Sequence, residues 1–466
     1  MNKLEEIKRL VTEYIQEKRA SEKFIPGESL VNYSGPYFDE KEYNAAIEVL
    51  LSEWNVHADK CKQAERNFPA LLDKKFGVLT NSGSSANLLM FAALSSEGNF
   101  GSKFKLPKGS KVLTPVTCFP TTISPALALG FEPVFCDVEL PSLNPNLDEV
   151  EEILKANYHK GSMDRIRIFI YAHVMGNPVD MDRVKYLMDK YDCIFLEDTC
   201  DALGGYYDGK RLGSYGLMSS VSLYVAHHIS AIEGGVVATD NPQLLRVLDS
   251  QRSWGRGCHC SCPITNNNFD ASKGETACAN RFGKWLVGDG KDITYDHRYV
   301  HDEMAFNIKP LEMQGAILLE QMKKLPEMEQ ARRDNFKALE EIFVKHEKYF
   351  HLPKATEKSD PCWFGYLMTV KEDAPFSRDE ITAFLEKEKI QTRTYFTGNI
   401  LYHKGYSHLA KGYGSIKDRF NVADFVTRNS FFLGTYIGLT DEKIKYIGEK
   451  VDEFFENLNR KDKDNK

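Results

Sequence analysis

A mostly parallel α/β sheet with helices on both faces, followed by a smaller C-terminal α+β domain, is the fold class this chain predicts. Three observations predict it. Short β-rich runs alternate with helical ones between residues 77 and 239, the pattern of parallel strands joined by crossover helices. A chain of 466 residues is long enough for one large and one smaller core. Beyond a long helical stretch, the alternation gives way to a few strands set among helices. The composition, 42% hydrophobic and 27% charged, is that of an ordinary soluble globular protein. A net charge of −7 excludes a global field for nucleic acid or an anionic membrane.

The N-terminal residues 3–20 carry mixed charges on an amphipathic helical period, within an arm expected over 1–30. They lack the apolar core of a signal peptide, and no stretch is long enough to span a bilayer, so a cytoplasmic location is expected. A second helical period covers 41–67. Strands then follow at "GVLT" (77–80), "KVLTPV" (111–116), "PVFCDV" (133–138), "RIFIYAH" (167–173), "CIFLED" (193–198), "SVSLYV" (220–225) and "GVVAT" (235–239). Residues 258–292 form a Cys-, Asn- and Gly-rich insertion. The large domain is expected over 31–325 and the small one over 326–459, beginning in a long helix. The small domain contains the strand "WFGYLMTV" (363–370) and the helix "SRDEITAFLEKEKI" (377–390). The tail 460–466 is too polar to pack.

Three motifs at predicted strand ends carry chemistry. In "LTNSGSSANLLMFAAL", Gly83, Ser84 and Ser85 open a helix, where backbone amides form an anion site; a turn that merely caps the helix gives the same pattern. Asp198 ends the strand "CIFLED", and Phe119 in "PVTCFPTT" offers an aromatic face at another strand end, with core packing its plain alternative. A phosphate cradle, an aromatic plate and a carboxylate are what pyridoxal phosphate requires, because the carboxylate keeps the pyridine nitrogen protonated. The strand "SLYV" leads into His227 and His228.

These segments, with "YAHVMGNPVDMD", "EGG" and "FNIKPLEMQGA", run in order across most of the large domain. On them the chain resembles the sugar aminotransferase group of fold-type I pyridoxal-phosphate enzymes, of DegT/DnrJ/EryC1/StrS type. The resemblance implies that His227 stands where that group has its Schiff-base lysine. An imidazole cannot anchor the cofactor covalently, but its ordinary pKa of about 6.5 suits proton transfer near neutrality. Pyridoxamine phosphate held non-covalently, with His227 as base, is therefore expected. His228, one residue on, should point away along a strand. The resemblance further implies cofactor contacts from Ser222 and, across a homodimer, from Asn307. It offers Arg393 and Asn399 as substrate contacts, Arg393 for the diphosphate with a surface salt bridge as its plain alternative, and His173 as a residue that lines the pocket.

Ten cysteines in a chain of this class are not expected to be disulfides. Cys136 and Cys193 sit in apolar runs as buried spectators. Cys258, Cys260, Cys262 and Cys278 cluster in the insertion, and Cys200 follows the Asp198 strand end. Convergent thiolates suggest zinc or an iron–sulfur cluster. The order Cys200, then Cys258 and Cys260, is similar to the [2Fe–2S] ligand pattern of the CDP-6-deoxy-4-hexulose 3-dehydratases. Their fourth cysteine falls at Asn268 here. Cys278, before "ANRFG", takes its place across a ten-residue insertion, and Cys262 stays open as a competing ligand. This resemblance implies removal of the C3 hydroxyl of a nucleotide-linked 4-keto-6-deoxysugar. It also implies electrons from a separate NADH-dependent, flavin-containing reductase. A cluster-free dehydratase that uses glutamate, and a non-catalytic zinc-binding scaffold, are the competing readings.

Overall fold

The computed structural model describes residues 2–97, 104–158, 165–258 and 282–464. Three helices come first: α1 (Lys3–Ser21), α2 (Glu40–Leu51) and α3 (Asp59–Asn67). Strands and helices then alternate through β1 (Phe76–Thr80), α4 (Gly83–Ser95), β2 (Lys111–Pro115), α5 (Pro120–Ala128), β3 (Glu132–Cys136), α6 (Leu147–Asn157), β4 (Ile166–Ala172), α7 (Met181–Tyr191) and β5 (Ile194–Asp198). Two short strands, β6 (Tyr206–Tyr207) and β7 (Lys210–Arg211), precede β8 (Met218–Ser222), β9 (Gly235–Thr239) and α8 (Pro242–Arg252).

Seven of these strands make one sheet in the order β1-β9-β8-β5-β4-β2-β3. Only β9 runs antiparallel to its neighbours, as a mostly parallel fold-type I sheet requires. Both faces are covered, so β8 and β9 are buried at every residue and read as continuous apolar or small-residue runs. Helix α4 is apolar all round because it lies between the sheet and α5 and α8, with Leu89, Met90, Phe91 and Leu94 fully buried.

The insertion contains regular structure that its composition hid. Strands β10 (Phe282–Gly288) and β11 (Lys291–Asp296) pair as a hairpin. Asp289 and Gly290 turn the corner with φ of 50° and 74°, the left-handed pair that a two-residue hairpin loop needs.

Helix α9 (Glu312–Phe343) runs unbroken through the expected boundary at 325/326. Its first half packs with Val221 and Leu223 of the large unit. Its last turns, with Phe336, Leu339 and Phe343, belong to the C-terminal core. The C-terminal unit comprises β12 (Phe350–His351), β13 (Ser359–Asp360), β14 (Gly365–Val370), α10 (Arg378–Lys387), β15 (Arg393–Thr394), α11 (Ile416–Arg419), α12 (Asn421–Asn429), β16 (Ser430–Gly434) and α13 (Asp441–Asp464). An antiparallel sheet in the order β12-β14-β16-β15 is its centre, while β13 pairs back onto β6. Helix α13 continues to Asp464, so most of the expected polar tail has helical backbone. Its Lys, Arg and Glu residues are good helix formers, and Arg460 pairs with Glu456 one turn back. None of the described helices is long and apolar enough to cross a membrane.

Candidate active site

The C-terminal ends of β5 and β8 and the N-terminus of α4 meet around a cavity of about 250 Å³. Helix α4 starts there because Ser82 is its N-cap, its hydroxyl accepting the Ser85 amide at 3.1 Å. The next residue must be glycine: a Cβ on Gly83 would lie 2.5 Å from Cβ of Ser222, the last residue of β8. Gly83 and Ser222 therefore touch, and both line the cavity with Ser84, Phe119, Asp198, Cys200 and His227. Ser84 donates its hydroxyl to Thr121 at 2.9 Å. Phe119 is 46% exposed, free to cover a ring, and its edge meets Phe396.

Asp198 is buried and rigidly held. Its Oδ2 accepts from Asn87 Nδ2 at 2.9 Å and Thr122 Oγ1 at 2.8 Å, and its Oδ1 accepts the Cys200 amide at 3.2 Å. Asn87 in turn accepts the Ser220 hydroxyl at 2.6 Å. Sequence reasoning missed Asn87 and Thr122. The signal for Asn87 was its place four residues after Gly83, on the same face of an apolar helix.

His227 also lines the cavity, with Nδ1 3.3 Å from Asp201 Oδ1 and its ring 5.4 Å from that of Phe364. Asp201, three residues beyond Asp198, was not singled out from sequence. His228 faces inward, 2% exposed, and donates from Nε2 to the Cys362 carbonyl at 2.8 Å. Burial, with the nearby Arg332 charge, pushes its pKa well below the usual imidazole value, so it is neutral. The two histidines diverge as expected, but for a different reason. The strand stops at Ser222, and both histidines follow a turn closed by the His227 amide on the Tyr224 carbonyl at 3.0 Å. Arg332 of α9 donates to the His227 carbonyl at 3.0 Å.

Three expectations are corrected in placement, those for Ser85, Asn399 and His173. Ser85 is spent on the cap, its amide and hydroxyl both facing Ser82. Asn399 is buried away from the cavity, where Oδ1 accepts the Leu401 amide at 3.0 Å. His173 lies behind the sheet between the Tyr171 hydroxyl and Glu197 Oε1, at 3.0 and 2.9 Å; strand alternation sends Glu197 and Asp198 to opposite faces. Asn307 is exposed, bridged to Ser253, and does not line this chain's cavity. Arg393 does line it.

The residues present fit pyridoxal or pyridoxamine phosphate. Gly83 leaves room beside Ser222 for a phosphate to approach the α4 amides, and Asp198 is fixed at the end of the neighbouring strand β5. Of the cysteine set, Cys200 lines the cavity, and burial plus the Asp198 charge push its thiol well above the usual range. Cys258 is partly buried. Cys260, Cys262 and Cys278 lie outside the described residues, and among the described residues no three metal-binding side chains come together.

A model of the DegT/DnrJ/EryC1/StrS aminotransferase family matches residues 36–452. The chain is 34% identical to the lipopolysaccharide biosynthesis protein RfbH of Salmonella typhimurium, over 97% of this chain and 98% of that one. It is 34% identical to the dTDP-4-dehydro-2,6-dideoxy-D-glucose 3-dehydratase of Saccharopolyspora spinosa, over 95% and 90% of the two chains. Among solved structures, the GDP-4-keto-6-deoxy-D-mannose-3-dehydratase of E. coli with bound hydrated PLP superposes with a TM-score of 0.73 at 27% identity. That match covers 91% of this chain and all of the other.

Proposed function

The chain belongs to the DegT/DnrJ/EryC1/StrS aminotransferase family, and from that premise we propose that it removes the C3 hydroxyl of a nucleotide-linked 4-keto-6-deoxysugar. The cofactor is pyridoxamine phosphate, assisted by a [2Fe–2S] cluster. The observation that carries this reading is His227, which faces the cavity beside Asp201 where the family's aminotransferases need a lysine. The dTDP- and GDP-sugar names of the relatives support the substrate class, since both describe 3-dehydration of a keto-deoxysugar on a nucleoside diphosphate.

The chain's own groups then divide the work. Gly83, Ser84 and Ser222 hold the phosphate, Phe119 covers the ring, and Asp198 keeps the ring nitrogen protonated. Pyridoxamine phosphate, when bound, would supply an amine for the 4-keto group and an electron-accepting ring. His227 moves the proton at the carbon bearing that amine, general base catalysis worth about 10²–10⁴-fold. Asp201 Oδ1 lies 3.3 Å from its Nδ1.

Overall, the sugar carbon gains two electrons and two protons and releases water. A cluster held by Cys200, Cys258, Cys260 and Cys278 would supply those electrons one at a time from an NADH-dependent flavin reductase. The support is the cysteine spacing and the place of Cys200 in the cavity wall. The active unit is a homodimer in which Asn307 reaches the partner's cofactor.

The test is iron, acid-labile sulfide and the visible spectrum of anaerobically purified protein, before and after dithionite. Two irons and two sulfides per chain, with bleaching, are expected, as is 3-deoxysugar product on adding a reductase. Metal-free protein that dehydrates the sugar with glutamate alone would replace the electron-transfer reading with the cluster-free one. Zinc in a protein that binds no pyridoxamine phosphate would leave a scaffold.

A further inference from the structure

Among the described residues lining the cavity, Arg393 is the sole lysine or arginine, and the other charged groups include the carboxylates of Asp198 and Asp201. A phosphoanion entering that wall meets this permanent cation. The Arg393 guanidinium makes no ion pair among the described residues; one terminal nitrogen donates to the Thr392 carbonyl at 2.7 Å. What holds it is a ring: its central carbon lies 4.2 Å from the centre of Tyr33. Stacking of this kind satisfies the face of a guanidinium and leaves its edge donors for a ligand.

Tyr33 comes from a remote part of the sequence and is fixed there by backbone. Val31 donates to the Lys389 carbonyl at 2.8 Å, and the Gln391 amide donates back to Val31 at 3.0 Å. The Tyr33 amide donates to Gln391 Oε1 at 3.3 Å. Its carbonyl passes so close to Gly434 that a Cβ there would lie 1.6 Å away. Phe432 supports the ring edge-on at 6.0 Å. The segment is thus strapped to the C-terminal sheet, and Tyr33 reaches the cavity wall beside Arg393.

We propose that Tyr33 is a positioning residue for substrate binding: it holds Arg393 with its edge open to the diphosphate of the nucleotide sugar. This rests on the substrate class proposed above. A free arginine side chain loses rotamer freedom when it binds; one already stacked loses less. The hydroxyl plays no part, so the ring alone is required.

Binding of CDP, dTDP and GDP to the cofactor-loaded protein, with the matching nucleosides as controls, tests it by calorimetry. Tyr33→Ala is expected to weaken the preferred diphosphate about two- to thirtyfold, the range of a cation–π contact. The nucleoside should be unaffected, Tyr33→Phe should bind as the native protein does, and cofactor absorbance should be retained. Arg393→Met should lose as much, with no further loss on adding Tyr33→Ala. Native-like diphosphate binding by Tyr33→Ala, or equal loss for nucleoside and diphosphate, would overturn the positioning role alone. Native protein that binds none of the three diphosphates would remove the substrate class and this inference with it.

Discussion

Two adjacent histidines occupy very different surroundings: His227 faces the cavity beside Asp201, while His228 is buried on a backbone carbonyl. His227→Asn should lower kcat about 10²–10⁴-fold with cofactor absorbance intact. His228→Asn should leave kcat near native and lower thermal stability, because it removes a buried hydrogen bond. Equal loss of activity in both variants would contradict the assignment. The position of His227 was legible in the sequence through the ordered motifs around it. Asp201 was not, because an aspartate three residues past a strand end looks like any turn or capping residue. Asn399 misled for the converse reason: a polar residue in a promising motif proved to cap a turn.

Elements were legible where one period dominated. Strand β9 falls at the expected residues, and Ser377 caps α10 through a capping box with Glu380. Strand β8 ends at Ser222 although "LYV" continues the apolar run; the Leu223 amide still donates to the Gly234 carbonyl at 2.9 Å, and the chain leaves the sheet beyond it. The contact between α4 and β8 makes a sharp prediction. Gly83→Ala should push the helix start away from Ser222 and weaken pyridoxamine phosphate binding, measured by absorbance titration, while the core under Leu89 and Phe91 stays folded.

Helices α3 and α8 meet through Glu65 and Arg252, whose side chains are 10% and 4% exposed. Burial alone would raise the Glu65 pKa, but Arg252 and His57 beside it hold the carboxyl at about 2, against an ordinary 4.5. The native value is the lower one, so this contribution is complete above pH 4.5 and disappears as pH falls through about 2. It is worth on the order of 3 kcal/mol. Glu65→Gln should therefore destabilise the protein at pH 7 in a urea titration, with the difference from native shrinking below pH 4.

At the scale of the whole molecule, Asn307 is the residue that does not serve its own cavity. If it serves a partner's, inactive His227→Asn and Asn307→Ala chains should regain part of the activity when unfolded and refolded together. Separate refolding should regain none. The general architecture was legible because alternating strands and helices leave few topologies. The cavity was only partly so, since its wall draws on Tyr33, Phe364 and Arg393, residues that no local pattern brings together.

Helix α9 gives both units part of their cores, and between those contacts Arg332 ties the His227, Trp363 and Phe364 carbonyls together. The gene therefore has no natural seam near codon 326. Fragments cut there would each carry half a helix with its apolar stripe uncovered, and should be recovered as insoluble material when expressed singly. Co-expression would have to rebuild the severed helix before either piece could persist, which makes that cut an unsuitable place to attach a reporter or to trade C-terminal halves between relatives.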